Sequence, residues 1–169
     1  MASIKGIQLK NVEEVQGADE IIITANVYLN DKKVGRVFGE GFWAEFDSKE
    51  IEDTLFDLVS EYYKEHPRYF IMETTNYGKV VEFLQEELLL LHDLEKEYKD
   101  NIQEGYSKIL LMRTHDREED PFGEGMNYQS PRFLSVSQWN EDVEKEVRIL
   151  YPDYKNITVF NDLSDFIIK

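Results

Sequence analysis

"IIITANVYLNDKKVGRVFGEGFWAEF", Ile21 to Phe46, is the stretch on which the fold turns. Ile21 to Leu29 is rich in β-branched residues, which suit a pleated and half-buried surface. Asn30 to Lys33 supplies a turn and Val34 to Gly39 returns, so the stretch predicts a β-hairpin. Phe42 to Phe46 keeps the alternation and continues the meander. Upstream, Ile4 to Leu9 is a candidate strand that pairs at one edge.

Downstream the period changes from two to 3.6. Asp47 is a candidate N-cap with Glu50 three residues on, as in a capping box. Ile51, Leu55, Leu58, Val59 and Tyr62 then form one apolar stripe, with Glu52, Asp53, Asp57 and Glu61 mainly outside it. His66-Pro67 ends this helix, because the residue before proline is pushed out of the helical region. Arg68 to Thr74 reads as a buried strand. Asn76 is a candidate cap for a second helix of roughly 42 Å. Val80, Leu84, Leu88, Leu91, Tyr98 and Ile102 mark its inner stripe, and Gly105 is its stop. Lys108 to Arg113 reads as a strand buried on both faces. A third helix follows Ser137, with Trp139, Val143, Val147 and Leu150 on one face and Pro152 closing it. Asn156 to Phe160 and Asp165 to Lys169 are short terminal strands. The expected fold class is α+β: a single domain over residues 1–169, a largely antiparallel sheet with about three helices packed on it.

The glycines of the first stretch carry a second reading. Arg36, Gly39 and Gly41 fit the pattern R-x-x-G-x-G. This resembles the loop with which GNAT acetyltransferases cradle the pyrophosphate of acetyl-CoA. "YFIMETTNYGKVVEFLQE", Tyr69 to Glu86, is similar to the strand and helix that follow that loop in the same family. The resemblance touches about a third of the chain and implies an acyltransferase with Arg36, Gly39 and Gly41 at the cofactor. The residues themselves favour a hairpin strand with a bend or bulge. A pyrophosphate loop needs a helix N-terminus directly beneath the phosphates. Here an aromatic, alternating stretch follows Gly41, and the helix signals begin only at Asp47. Glu40, Glu45 and Asp47 also stand against Arg36 alone, a poor field for a dianion.

Other chemistry is sparse. The chain has no cysteine and three histidines, which excludes disulfides, a thiolate nucleophile and cysteine-ligated metal. No Walker string, nucleophile elbow or His-Glu-x-x-His is present. His66 lies at a helix end and His92 beside a leucine run, neither with a spaced partner. "RTHDREED", Arg113 to Asp120, is one dense polar segment in which His115, Asp116, Glu118 and Glu119 could hold Mg²⁺ or activate water. With no second segment of matching ligands, a solvated acidic loop is the simpler account of it. No cofactor or metal is expected.

Charge dominates the composition. Thirty-five acids stand against nineteen Lys plus Arg, a formal net charge of −16. Such a field repels nucleic acid and anionic lipid and attracts basic surfaces. The longest aliphatic run is Leu88 to Leu91, too short to span a bilayer, and the expected location is the cytoplasm. Acidity of this kind serves solubility or serves as the binding determinant for a basic partner. The long second helix carries eight acids against three lysines, with Glu86, Asp93 and Glu97 among its outward candidates. Its net charge is several-fold sparser along the axis than the ~1.7 Å per charge of duplex DNA. Two acidic elements side by side, such as this helix and the exposed face of the first, would come closer to a mimic. Leu89 and Leu90 lie off its inner stripe, so the helix is buried nearly all round or faces a partner or a second copy of the chain.

Thr114 to Pro131 runs eighteen residues without periodicity, long for a connection. Phe122, Met126 and Tyr128 sit among Glu118, Glu119 and Asp120 there, a composition seen at interface hot spots. The alternative is that these side chains tuck back onto the sheet. The functional expectation is a non-catalytic acidic binding protein. Its concrete form is a phage or mobile-element inhibitor that occludes the nucleic-acid-binding surface of a host defence nuclease, as anti-CRISPR or anti-restriction proteins do. The competing expectation is the GNAT-like acyltransferase.

Overall fold

The computed structural model describes residues 1–16, 21–39, 43–66, 75–113 and 131–169. The strand expected over Arg68 to Thr74 and most of the loop from Thr114 to Pro131 lie outside the described residues. By their contacts the described residues fall into two compact units. One comprises residues within Met1–His66, 75–92 and Ile167–Lys169, the other those within Asp93–Phe166. No linker sequence marks the division, which falls inside a helical segment at His92-Asp93. The fold class is α+β, with helices and two largely antiparallel sheets in place of one.

The first unit is built on a six-stranded sheet in the order β5-β4-β3-β2-β1-β9. Its strands are β1 (Ser3–Ile4), β2 (Ile7–Gln16), β3 (Ile21–Leu29), β4 (Lys32–Phe38), β5 (Trp43–Phe46) and, from the chain end, β9 (Ile167–Ile168). The central hairpin forms, with a turn of two residues in place of the four expected over Asn30 to Lys33, so that Lys32 and Lys33 open β4. Leu29 pairs with Lys32, and Asn30 and Asp31 both hold positive φ, the two-residue turn whose twist matches the strands. Residues Ile4 to Leu9, expected as one strand, are two. Lys5 and Gly6 also take positive φ, so Ile4 turns back to pair with Ile7, and β9 adds in parallel beside β1. Asn11, again at positive φ, sits where the β2–β3 register shifts between Lys10 and Glu13, a bulge in the ladder.

Ile7, Leu9, Ala25, Val27, Val37 and Ala44 alternate onto one buried face of this sheet. Helices α1 (Lys49–Glu65) and α2 (Asn76–Phe83) supply the opposing apolar layer through Leu55, Val59, Tyr62, Val80 and Phe83. The ring of Tyr62 meets Phe83 edge-on at 5.5 Å between centroids. The cap of α1 is Ser48, not Asp47: its hydroxyl accepts the Ile51 N–H at 3.3 Å. The cap of α2 is Thr75, not Asn76, accepting from the Gly78 N–H at 2.9 Å. In both cases a hydroxyl one residue away is the group that reaches the free amide.

The second helix continues from α2 through a π-helical stretch (Leu84–Leu89) into α3 (Leu90–Ile102). The wide turn changes the phase of the apolar stripe. Leu84, Leu88, Leu89, Leu91 and Leu94 are all buried, and Ile102, expected on the inner stripe, is exposed. Leu89 is thus taken up inside the protein, while Leu90 is half-buried.

In the second unit, β6 (Lys108–Arg113) is buried along both of its faces, and its backbone groups are paired at both edges. It takes β7 (Arg132–Val136) and β8 (Asn156–Phe160), both antiparallel. The sequence reading missed β7, a short strand hidden behind a long aperiodic segment. Helix α4 (Glu141–Leu150), capped by Asn140, packs Val143 and Val147 against Leu110 and Met112. Leu150, expected on that buried face, is exposed because the helix ends there.

Candidate functional site

The described part of the glycine string, Arg36 to Gly39, lies on β4 and just beyond its end. Arg36 and Phe38 are in β4, and Phe38 pairs directly with Trp43 of β5. Gly39 takes φ +86°, the left-handed geometry that lets the chain leave β4; Gly41 lies outside the described residues. In chain order the strand β5 stands between Gly39 and the N-terminus of α1, so the glycine string does not open that helix. Arg36 is engaged with its cross-strand neighbour: its Nε and Nη2 donate to Glu45 Oε2 at 2.9 and 2.6 Å. Among the described residues no group of three or more His, Asp or Glu side chains is arranged to hold a metal ion. His66 closes α1, its N–H donating to the Tyr62 carbonyl and its ring 4.7 Å from that of Tyr62. His115, Asp116, Glu118, Glu119, Asp120, Phe122, Met126 and Tyr128 lie outside the described residues.

The outward candidates of the long helix divide between the units. Glu86 is exposed in the π-helical stretch of the first. Asp93, half-buried, and Glu97, exposed, belong to α3 in the second, where Glu97 accepts a bond from Asn101 Nδ2 at 2.7 Å. Glu87 and Glu95 of the same helix are buried and do not contribute to a surface. Glu87 accepts the Tyr62 hydroxyl at 3.2 Å.

Among the described residues, α1 carries a continuous exposed acidic stripe. Glu50, Asp53, Asp57, Glu61 and Glu65 recur at i, i+3, i+7, i+11 and i+15, which places them on one stripe opposite Leu55, Val59 and Tyr62. All five are exposed. They occupy about 22 Å of helix, one carboxylate per ~5 Å. A DNA strand carries one charge per ~3.4 Å of axis, so the carboxylates alone are less than two-fold sparser. Exposed Lys64 lies in the same stripe, and Lys5 and Lys49 pair with its ends, so the ridge's net charge is sparser still. Lys5 is set at the end of the ridge, 2.7 Å from Glu65 and 3.7 Å from Glu61. The hydrogen bond to Glu65 holds the Lys5 ammonium above its ordinary range, and Lys5 in turn holds Glu65 below the usual carboxylate value. Lys49 sits 2.5 Å from Glu52 and 3.2 Å from Asp53 at the other end. Glu50 and Asp57 have no ion pair among the described residues. The sequence sets Glu52, Asp53, Asp57 and Glu61 outside the buried stripe; in the structure Glu52 is half-buried, and Glu50 and Glu65 join the exposed row.

Among the described residues no helix is long and apolar enough to cross a membrane. The chain matches no protein-family model, no curated protein and no solved structure.

Proposed function

We infer that this chain is a non-catalytic binding protein that docks an acidic surface onto a basic surface of another protein. The observation that carries this reading is the exposed stripe of Glu50, Asp53, Asp57, Glu61 and Glu65 along α1. Its rigid helical spacing suits a surface that evolved to hold phosphates, which makes the nucleic-acid groove of an enzyme the best-matched partner. Occlusion of that groove would make the chain an inhibitor of a nuclease, of the kind a phage or mobile element directs against host defence. The sequence adds weight: five acids face one base between Thr114 and Pro131, interleaved with Phe122, Met126 and Tyr128.

The test is capture of nucleic-acid enzymes at ~50 mM salt and their release at ~500 mM, where screening shortens to a few ångströms. A Glu50→Lys/Asp57→Lys/Glu61→Lys variant is expected to lose the captured enzyme. Capture unchanged by that variant, or none at low salt, sinks the reading. The acyltransferase reading has its own measurement, calorimetry with acetyl-CoA. Arg36 committed to Glu45, and a strand after the glycines, do not favour it.

A further inference from the structure

The outer face of the six-stranded sheet has no role in the reading above. Register lines up Lys10, Asn26, Arg36 and Glu45 across β2, β3, β4 and β5. Next to that row Phe38 pairs with Trp43, and towards the same end of the sheet Val15 pairs with Ile22. These side chains alternate with Ala25, Val27, Val37 and Ala44, which are buried, and so point away from the helices. Trp43 is 59% exposed, Val15 54% and Phe38 39%. The Arg36 guanidinium lies 5.1 Å from the Phe38 ring centroid. An exposed apolar group rimmed by polar side chains marks an interaction surface, unlike apolar residues scattered singly.

Charge says which partner fits. The face carries Lys10, Lys33 and Arg36 against Glu13 and Glu45, in a chain of net −16. It is no landing place for the basic partner proposed above. Nor is it a track for nucleic acid, since Arg36 is bonded to Glu45 and Lys10 to Asp31 at 2.8 Å. It is a face on which two copies of an acidic protein can meet without facing like charge.

We propose that two copies of the chain pair through this face, about a two-fold axis that runs between β4 and β5. Such an axis sets residue i on residue j and j on i. Arg36 stands opposite Glu45 and Phe38 opposite Trp43 within one sheet. The axis therefore lays Arg36 over the second copy's Glu45 and Phe38 over the second copy's Trp43. Cation meets anion and ring meets ring, twice each. Only β4 and β5 overlap in this arrangement, well short of the ~800 Å² per partner of a stable interface, so the pair is weak and forms with concentration.

Sedimentation equilibrium of the whole chain from ~10 μM to ~1 mM tests this, the range in which weak pairs form. The weight-average mass is expected to climb from 20.0 kDa towards twice that value. Arg36→Glu and Glu45→Arg are each expected to stay monomeric, because each stacks like charges across the axis. An equimolar mixture of the two is expected to associate, and the double variant to recover self-association. Trp43→Ala, with unchanged circular dichroism, is expected to weaken the pair at least ten-fold. A wild-type mass fixed at the monomer up to ~1 mM overturns the proposal, as does an associating wild type whose two reversals fail to complement. Single-stranded RNA bound by a monomer and released by Arg36→Glu also overturns it. Asp57→Lys is expected to leave self-association untouched, so failure here and failure of the acidic ridge are separate results.

Discussion

The two surfaces of the first unit differ in kind. Helix α1 presents five exposed carboxylates in one stripe, and the outer sheet face presents cations, anions and aromatic rings in cross-strand pairs. A helix repeats every 3.6 residues, so one sign of charge can be dealt to one stripe by local spacing alone. A sheet face is assembled from separate strands, and opposite charges directly across from each other are favoured there. Between these two surfaces the acid is therefore not shared evenly: it lies on the helix, where secondary structure can sort it without long-range pairing.

The severest way to break this contrast is to remove the layer that joins the two surfaces. Phe83 is fully buried between Tyr62 and Tyr63. Phe83→Ala is expected to cost about 3–5 kcal/mol by urea unfolding, with both surfaces lost together. Gly35→Ala strikes the sheet face alone. A Cβ there would stand 2.5 Å from the Glu45 carbonyl oxygen, and backbone must move to admit it. The expected loss is about 1–3 kcal/mol, accompanied by loss of self-association as β5 shifts from β4.

Smaller again is the effect of Tyr77→Phe. The Tyr77 hydroxyl donates to the Ala44 carbonyl at 2.8 Å and accepts the Ala44 N–H at 3.1 Å. One phenol thereby closes both backbone groups on the open side of the edge strand β5, where unpaired groups invite another strand. Its removal is expected to cost about 1 kcal/mol and to raise aggregation on storage, read by light scattering.

Acid separates the surfaces more finely. Glu65 on the ridge and Asp31 beside the sheet face are held below their ordinary 4.5 and 3.8 by hydrogen bonds from Lys5 and Lys10. A lowered folded-state value favours the folded protein above the unfolded value, and that increment fades as pH falls through the lowered one. Urea midpoints are expected to drop from about pH 4.5 downward. Glu65→Gln and Asp31→Asn should each remove part of that drop, showing which surface contributes more. The smallest effect on stability belongs to Asp57→Lys, within about 0.5 kcal/mol because the residue is exposed and lacks an ion pair among the described residues. Its effect on capture of a basic partner is expected to be large, and that disparity is the mark of a binding surface.

Sequence periodicity was sufficient for the Asn30-Asp31 hairpin, the buried stripe of α1 and the two-sided burial of β6, because each follows from neighbours a few residues apart. The acidic stripe of α1 was legible on the same grounds. Caps were misplaced by one residue at Ser48 and Thr75, since adjacent polar residues compete and only backbone geometry chooses between them. The turn at Lys5-Gly6, the parallel addition of β9, the division of the strands into two sheets and the strand β7 depend on partners far along the chain. So does the Tyr77 hydroxyl at the edge of β5, while the Arg36–Glu45 bond, which occupies the arginine of the glycine string, joins residues only nine apart through the β4–β5 register. Local spacing sets which face of an element is apolar or charged; which elements meet, and what each polar group then finds to bond, is fixed only when the chain closes on itself.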